Sequence, residues 1–152
     1  MILILMNRRG FNKLENMSQD GLPITSQNLE NGFIFQEYLE EHHKDDIVRI
    51  LLQDDSSKHF SVVVNTLEFI ESTDDQVSHL LLAEPNLMLP LFDQSFKKAL
   101  IAVMQRHESR EFMVFKPNLH VRLSNLPICP ELRRDVLPKS SDIRSFLAIT
   151  GL

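Results

Sequence analysis

Cysteine is almost missing from this 152-residue chain, with Cys129 the single example. One thiol cannot close an intramolecular disulfide, which fits a reducing compartment such as cytosol or nucleus. A structural zinc site needs four ligands, usually several of them thiolates, so a cysteine-built zinc centre is excluded too. Cys129 sits between Pro127 and Pro130 without an activating cation beside it, and reads as structural rather than nucleophilic. Glycine is equally scarce. Gly10, Gly21, Gly32 and Gly151 are each followed by Phe or Leu. A phosphate-cradling loop needs clustered glycines, so that backbone N–H groups can approach the anion, and then a lysine. The chain has no such loop. A membrane-length apolar run is also missing: Met1–Met6 is apolar, but a span takes about 20 such residues. Arg8 and Arg9 follow that stretch, the reverse of the order in a signal peptide.

What is present describes a soluble globular protein, with 43% hydrophobic and 24% charged residues. The length suits one domain with a genuine core. A formal net charge of −5 argues against attraction of the whole surface to nucleic acid, but the average hides an asymmetry. Residues 1–96 carry 16 acidic and 6 basic side chains, whereas residues 97–152 carry 10 basic and 5 acidic ones. A basic segment of this kind suits a polyanion or an acidic protein neighbour. The plainer alternative is attraction between the two halves.

Residues 1–28 are expected to be poorly ordered, with Met17 a second candidate start. A helical pattern begins at Leu29, with Phe35, Tyr38 and Leu39 on one stripe, and resumes at Ile47, Ile50 and Leu51 after the polar stretch Glu40–Asp46. Either one helix runs through or two meet near His43–Lys44. Asp54–Ser57 reads as a turn. Phe60, Val62 and Val64 alternate, and the β-branched run favours a short strand. Leu67–Ile70 forms a short helix or turn. Ser72 or Thr73 is a suitable N-cap for a helix over Asp74–Ala83, ended by Pro85. The clearest helix spans Pro90–His107, with Pro90 in its first turn. Leu119, Val121 and Leu123 alternate with His120, Arg122 and Ser124, the pattern of a strand with one buried face. Pro127, Pro130 and Pro138 punctuate a turn-rich segment around a short helix at Glu131–Val136, and Ser145–Thr150 reads as a second strand.

Most clusters that might suggest chemistry have simpler readings. His42 and His43 point about 100° apart on a helix, whereas a helical two-histidine metal site wants i, i+4 spacing. The pairs Asp54-Asp55 and Asp74-Asp75 fall at a turn and a helix start, where capping explains them. Ser, His and Asp residues form no recognisable triad order. The basic residues of the last third are the better candidates. Arg122 lies on the polar face of a strand, and Arg133, Arg134, Lys139 and Arg144 follow it. A basic surface on a β-barrel is a common way to track a nucleic-acid backbone; ordinary surface charge is the alternative. Aromatic residues able to stack on bases are few there, limited to Phe112, Phe115 and Phe146, with Phe146 assigned to the core.

The run NLHVRLSNLPICPELRR over Asn118–Arg134, followed by LPKSSDIRSFLAITG, resembles the minichromosome maintenance (MCM) family of hexameric DNA helicases. In that family a strand of the type v-R-i-x-n-L-P opens an oligonucleotide-binding barrel, and f-l-x-i-x-G is the next strand. Upstream, FQEYLEEHHKDDIVRILL, HFSVVVNTLEFIE and PLFDQSFKKALIAVMQ resemble the helical N-terminal A-subdomain. Within the family, NLHVRLSNLPICPELRR together with HHKDDI and VVVN is most similar to the ninth paralogue. That paralogue is associated with the eighth in homologous recombination and interstrand crosslink repair. The resemblance covers roughly Leu29–Gly151.

It implies a mainly α fold, a helical bundle followed by the first strands of an incomplete oligonucleotide-binding barrel. The expected divisions are a disordered leader at 1–28, a helical N-terminal subdomain at 29–110 and a truncated barrel start at 111–152. The resemblance implies a nuclear full-length helicase that encircles DNA in a ring and uses ATP, Mg and Zn. This segment would bind no cofactor and catalyse nothing. Its implied partners are DNA, single-stranded and weakly held, and other MCM subunits, the eighth paralogue foremost; no membrane is involved. Arg122, Lys139, Arg144, Arg133 and Arg134 are the candidate DNA contacts. The family pattern continues past Thr150-Gly151 into T-G-x-V-x-R, where this chain has Leu152, so a splice variant or an incomplete gene model is one expectation. A competing one is a short isoform acting as a protein-interaction module on MCM partners.

Overall fold

The computed structural model of the chain describes residues 2–5, 25–127, 133–134, 139–143 and 146–149. Helix α1 covers Ser26–His42 and begins three residues ahead of Leu29, because the Thr25 side chain accepts the Asn28 N–H at 3.1 Å. Helix α2 covers Lys44–Leu51, so the two-helix alternative is the one realised. The break is a single residue, His43, whose N–H closes α1 on the Leu39 carbonyl and whose carbonyl accepts the Ile47 N–H, both at 3.0 Å. Asp45 and Asp46 occupy the first turn of α2, where negative charge suits the helix dipole.

Strand β2, Phe60–Asn65, runs directly into α3, Thr66–Ser72. The last strand residue makes this possible: the Asn65 side chain accepts the Leu67 N–H at 3.2 Å and so caps the helix. Helix α4 covers Asp75–Ala83, and its cap is Asp74, which accepts the Gln76 N–H at 3.3 Å. Ser72 and Thr73, the expected caps, instead donate their hydroxyls back to the Phe69 carbonyl at 3.0 and 2.7 Å and close α3. Helix α5, Pro85–Arg106, starts five residues before the expected Pro90. Pro85 takes the first-turn position that tolerates a missing N–H, and Pro90 lies inside the helix, where it leaves the Asn86 carbonyl without its usual donor.

Strand β3, Leu119–Ser124, pairs in parallel with β2, Phe60 opposite Leu119 and Asn65 opposite Ser124. A parallel pair needs a long crossover, and α3, α4 and α5 supply it. Val62 and Val64 of β2 and Leu119 and Val121 of β3 face the same core as Phe35 and Leu39 of α1, Phe69 of α3 and Phe92, Phe96 and Leu100 of α5. Beyond β3, which ends where Asn125 takes a φ of 50°, the chain adds a second sheet. Its order is β1, Ile2–Leu5; β5, Phe146–Ile149; then β4, Arg133–Arg134. Strand β1 is antiparallel to β5 and β4 is parallel to it.

Two of these strands differ from expectation. A strand lies within the leader, and residues 133–134 are extended where a short helix over Glu131–Val136 was predicted. In both cases the edges of β5 supply backbone partners that a local reading cannot see, and tertiary pairing overrides a weak local signal. The molecule is thus a mainly helical bundle followed by a few strands. Among the described residues these form an open sheet, as in a partial oligonucleotide-binding region after a helical subdomain. No described helix is long and apolar enough to cross a membrane.

Helix α1 packs closely on α5, and Gly32 marks the contact. A Cβ built there would lie 3.2 Å from Ser95 Oγ and 3.3 Å from Leu91 Cδ1, tighter than ordinary van der Waals contact. A larger side chain must push the helices apart. Gly32→Leu is therefore expected to lower stability by about 1–3 kcal/mol, read as a lower urea midpoint with an unchanged slope. A wild-type midpoint would mean that the two helices do not close on this glycine.

Candidate nucleic-acid interface

The β2–β3 pair has one face in the core and one in solvent. Alternation along each strand sends Val62, Val64, Leu119 and Val121 inward and leaves Ser61, Val63, His120 and Arg122 outward. In register, Ser61 lies beside His120 and Val63 beside Arg122. Neither strand contains an Asp or Glu, so the outward face carries the polar Ser61, the apolar Val63 and the basic His120 and Arg122, with no carboxylate from either strand. The Arg122 guanidinium is exposed and makes no hydrogen bond or ion pair with another described residue. Those are the attributes of a cation available to an external anion.

The far edge of β3 is held by α5. Asn118 directs its carbonyl to the Phe60 N–H at 2.9 Å, so Leu119, Val121 and Leu123 direct their backbone groups away from β2. The Val121 N–H donates to Asp93 Oδ1 at 2.7 Å. The other oxygen of Asp93 lies 3.6 Å from His120 Nδ1. Burial pushes the Asp93 carboxyl above its ordinary value, against the Val121 N–H, His120 and Lys97, which act to lower it.

His120 also meets His59, the residue just before β2. His59 Nδ1 and His120 Nε2 are 3.0 Å apart and the ring planes differ by 8°. The centroids are 5.2 Å apart, close to the nitrogen separation plus the two ring radii. The rings therefore meet edge to edge in one plane, as an N–H···N hydrogen bond requires, and are not stacked face to face. The same end of the sheet is anchored by Lys116, which is fully buried. Its ammonium donates to the Gln53 carbonyl and lies 5.7 Å from the centre of the Phe60 ring.

The five candidate contacts do not form one cluster among the described residues. Arg122 belongs to the two-stranded sheet, whereas Arg133 is exposed on β4 of the other sheet. Arg134 is its neighbour in β4, with its side chain outside the described residues. Lys139 is exposed at the start of a short 3-10 turn, and its N–H is held by Asp142 at 2.8 Å. Arg144 and Cys129 lie outside the described residues. His59 and Asp93 were not singled out by sequence. A histidine before a strand and an acid on a helix carry no motif, and only the fold brings them to His120. Of the three aromatics, Phe112 and Phe115 are exposed and Phe146 is buried.

The other clusters have structural uses. His43 Nδ1 lies 3.3 Å from Asp46, and the His42 ring packs against Tyr38 with centroids 4.5 Å apart. Asp55 accepts the N–H and hydroxyl of Ser57 in the turn before β2. Among the described residues, no three His, Cys, Asp or Glu side chains gather closely enough to hold a metal ion.

The helical bundle, whose parallel strand pair turns His120 and Arg122 outward with no acid on either strand, is accompanied by a small second sheet. Residues 25–127, from the cap of α1 to just beyond β3, match the family described as MCM9, N-terminal domain. The chain belongs to this family. It is also 36% identical over 104 residues to the protein named "Probable DNA helicase MCM9" from Oryza sativa subsp. indica. The aligned region covers 62% of this chain and 15% of the rice protein. The matched part is thus the N-terminal domain of an MCM-family member, and no phosphate loop occurs in this sequence.

The Asp93 contact yields a test with a definite sign. Because its folded value is raised, the stability linked to this carboxyl is fully present below the ordinary carboxylate range and is lost as pH rises through the raised value. Asp93→Asn keeps an oxygen for the Val121 N–H without burying charge. Its stability relative to wild type is expected to improve as pH climbs from about 3 to about 7. Asp93→Ala removes the acceptor and is expected to cost about 1–3 kcal/mol. Urea unfolding across that pH range checks both, and an Asn variant that tracks wild type at every pH would refute the assignment.

Proposed function

We propose that this chain is the N-terminal segment of an MCM-type DNA helicase subunit, and that it contributes a DNA backbone contact and subunit contacts in a ring without catalysing a reaction itself. The observation that carries the proposal is the outward β2–β3 face, with Arg122 unpaired among the described residues and no Asp or Glu on either strand, in a chain of the MCM9 N-terminal family. Phosphate contacts position a protein on nucleic acid without reading sequence. Arg122 is the first such contact, with Lys139, Arg144, Arg133 and Arg134 behind it. The ligand is single-stranded DNA, held weakly by this segment alone. The resemblance to the ninth paralogue supports a nuclear role in replication or recombination repair, with other MCM subunits, the eighth paralogue foremost, as partners. ATP, Mg and Zn belong to the full-length helicase.

A second reading has its own support. Leu29 and Phe33, one turn apart on α1, are each 58% exposed and make an apolar pair on the acidic half of the chain. As a protein-interaction module, the segment would use that helix to hold an MCM partner. Capture of an MCM partner that survives nuclease treatment supports this reading, and loss of the partner supports a DNA-bridged contact.

Arg122→Ala is expected to weaken binding to single-stranded oligonucleotides by a similar factor whatever their sequence, and to reduce the salt slope by about 0.7. Fluorescence anisotropy at several salt concentrations measures both. Unchanged affinity and slope would remove Arg122 from the interface.

A further inference from the structure

We propose that His59, backed by His120 and Asp93, is a second phosphate contact beside Arg122, one that engages when the histidine pair takes up a proton. The inference rests on the DNA-binding reading of the β2–β3 face. His59, His120 and Arg122 follow one another along that face from its open end. His59 lies four residues before Val63, the register partner of Arg122, so the two contacts sit about 13 Å apart along the strands, about twice the spacing of successive phosphates along a nucleic-acid backbone. A ligand with evenly spaced anions therefore fits this row better than a single small anion does.

The proton arrangement follows from the geometry. Asp93 Oδ2 faces His120 Nδ1 at 3.6 Å, which favours a proton on that nitrogen. His120 Nε2 is then an acceptor, and it meets His59 Nδ1 at 3.0 Å. His59 must donate across that gap, which leaves its Nε2 as the group available to a ligand. A neutral His59 has no proton at Nε2 and offers a phosphate oxygen only a lone pair. Protonation at Nε2 makes it a charged donor while the N–H···N bond to His120 stays intact. The pair can hold this one extra proton with every contact preserved. A second proton would set two N–H groups against each other.

The surrounding charges permit this. On α5, Asp93 stabilises the added proton and Lys97 lies close enough to act on Asp93. On β3, Arg122 opposes the proton and makes an incoming phosphate the natural counter-ion. In the loop before β2, Lys58 is already paired with Asp55 at 3.5 Å.

The test is anisotropy of the full chain with a fluorescent oligothymidylate at pH about 7.5 and about 5.5, where imidazoles change charge. Wild type should bind more tightly in acid, with a salt slope steeper by about 0.7, the value for one added contact on a single strand. His59→Gln should match wild type at the higher pH and lose most of the gain in acid. Because His59 is exposed, this variant should fold normally, as circular dichroism can check. His120→Gln should lose the same gain, since it breaks the link to Asp93. A His59→Gln protein that gains affinity in acid as wild type does overturns the proposal. Arg122→Ala separates the two readings. If it binds like wild type at the higher pH while the acid gain still depends on His59, the Arg122 assignment fails and the His59 contact stands. If wild type binds at neither pH, both readings fall.

Discussion

The stack of Phe35 on Phe92, with centroids 3.7 Å apart and planes 10° from parallel, is the contact on which the other packing depends. It joins α1 to α5, and Phe69 of α3 closes it from the side, edge-on to Phe35 at 5.4 Å and to Phe92 at 5.6 Å. Tyr38 extends the group by meeting Phe69 edge-on at 5.0 Å. Each of the edge-on pairs contributes about 0.5–1.5 kcal/mol beyond the area it buries. The arrangement also fixes direction. Offset and edge-on rings admit few relative orientations, so three helices that share one ring cluster cannot rotate independently. The small residue at Gly32 lets α1 approach α5 closely enough for the cluster to form.

The orientation of α5 then decides where β3 lies. With Phe92 fixed in the aromatic cluster, its neighbour Asp93 projects from the adjoining face of the helix and meets the edge of β3 at Val121. The core therefore reaches the surface through one residue pair. Just ahead of the strand, Lys116 holds the incoming segment to the carbonyl of Gln53, just past α2, and the Val114 N–H adds a bond of 3.0 Å to the Leu51 carbonyl. A short strand fixed at its entry and at its middle presents its outward side chains in a constant row. That rigidity is what a contact with a regularly spaced polyanion needs.

Most of the helical part was legible in the sequence, because amphipathic spacing and capping residues are local signals. The strand at Phe60–Asn65 and the long helix ending at Arg106 follow from side-chain periodicity, whereas periodicity left one helix or two open at His43. The misplaced α4 cap and α5 start share one cause: several capping residues or prolines stand in a row, and tertiary contacts choose among them. The parallel pairing of β2 with β3 was not legible. Register between strands so distant in the chain leaves no pattern in either one. The strand at Leu119–Ser124 could be read as the opening of a barrel, but its partner could not be named. Arg122 was legible as an outward-facing cation, whereas His59 and Asp93 became visible as neighbours of His120 only once the crossover placed them there. The fully buried Lys116 went unnoticed for the same reason, since a lysine in a basic segment reads as surface.

The parallel crossover also sets an order of events while the chain is being made. Strand β2 leaves the ribosome well before β3, and synthesis at about 5–20 residues per second separates the two by a period on the order of seconds. Helices α3 to α5 emerge within that interval, α1 and α2 before it, and all can form from local contacts, but β2 has no partner strand. The apolar run Val62–Val64 must wait with an unpaired edge until β3 emerges. Completion of the sheet is therefore a late step, in which β3 comes alongside β2. A nascent chain halted before Leu119 would hold most of its helices and none of its sheet.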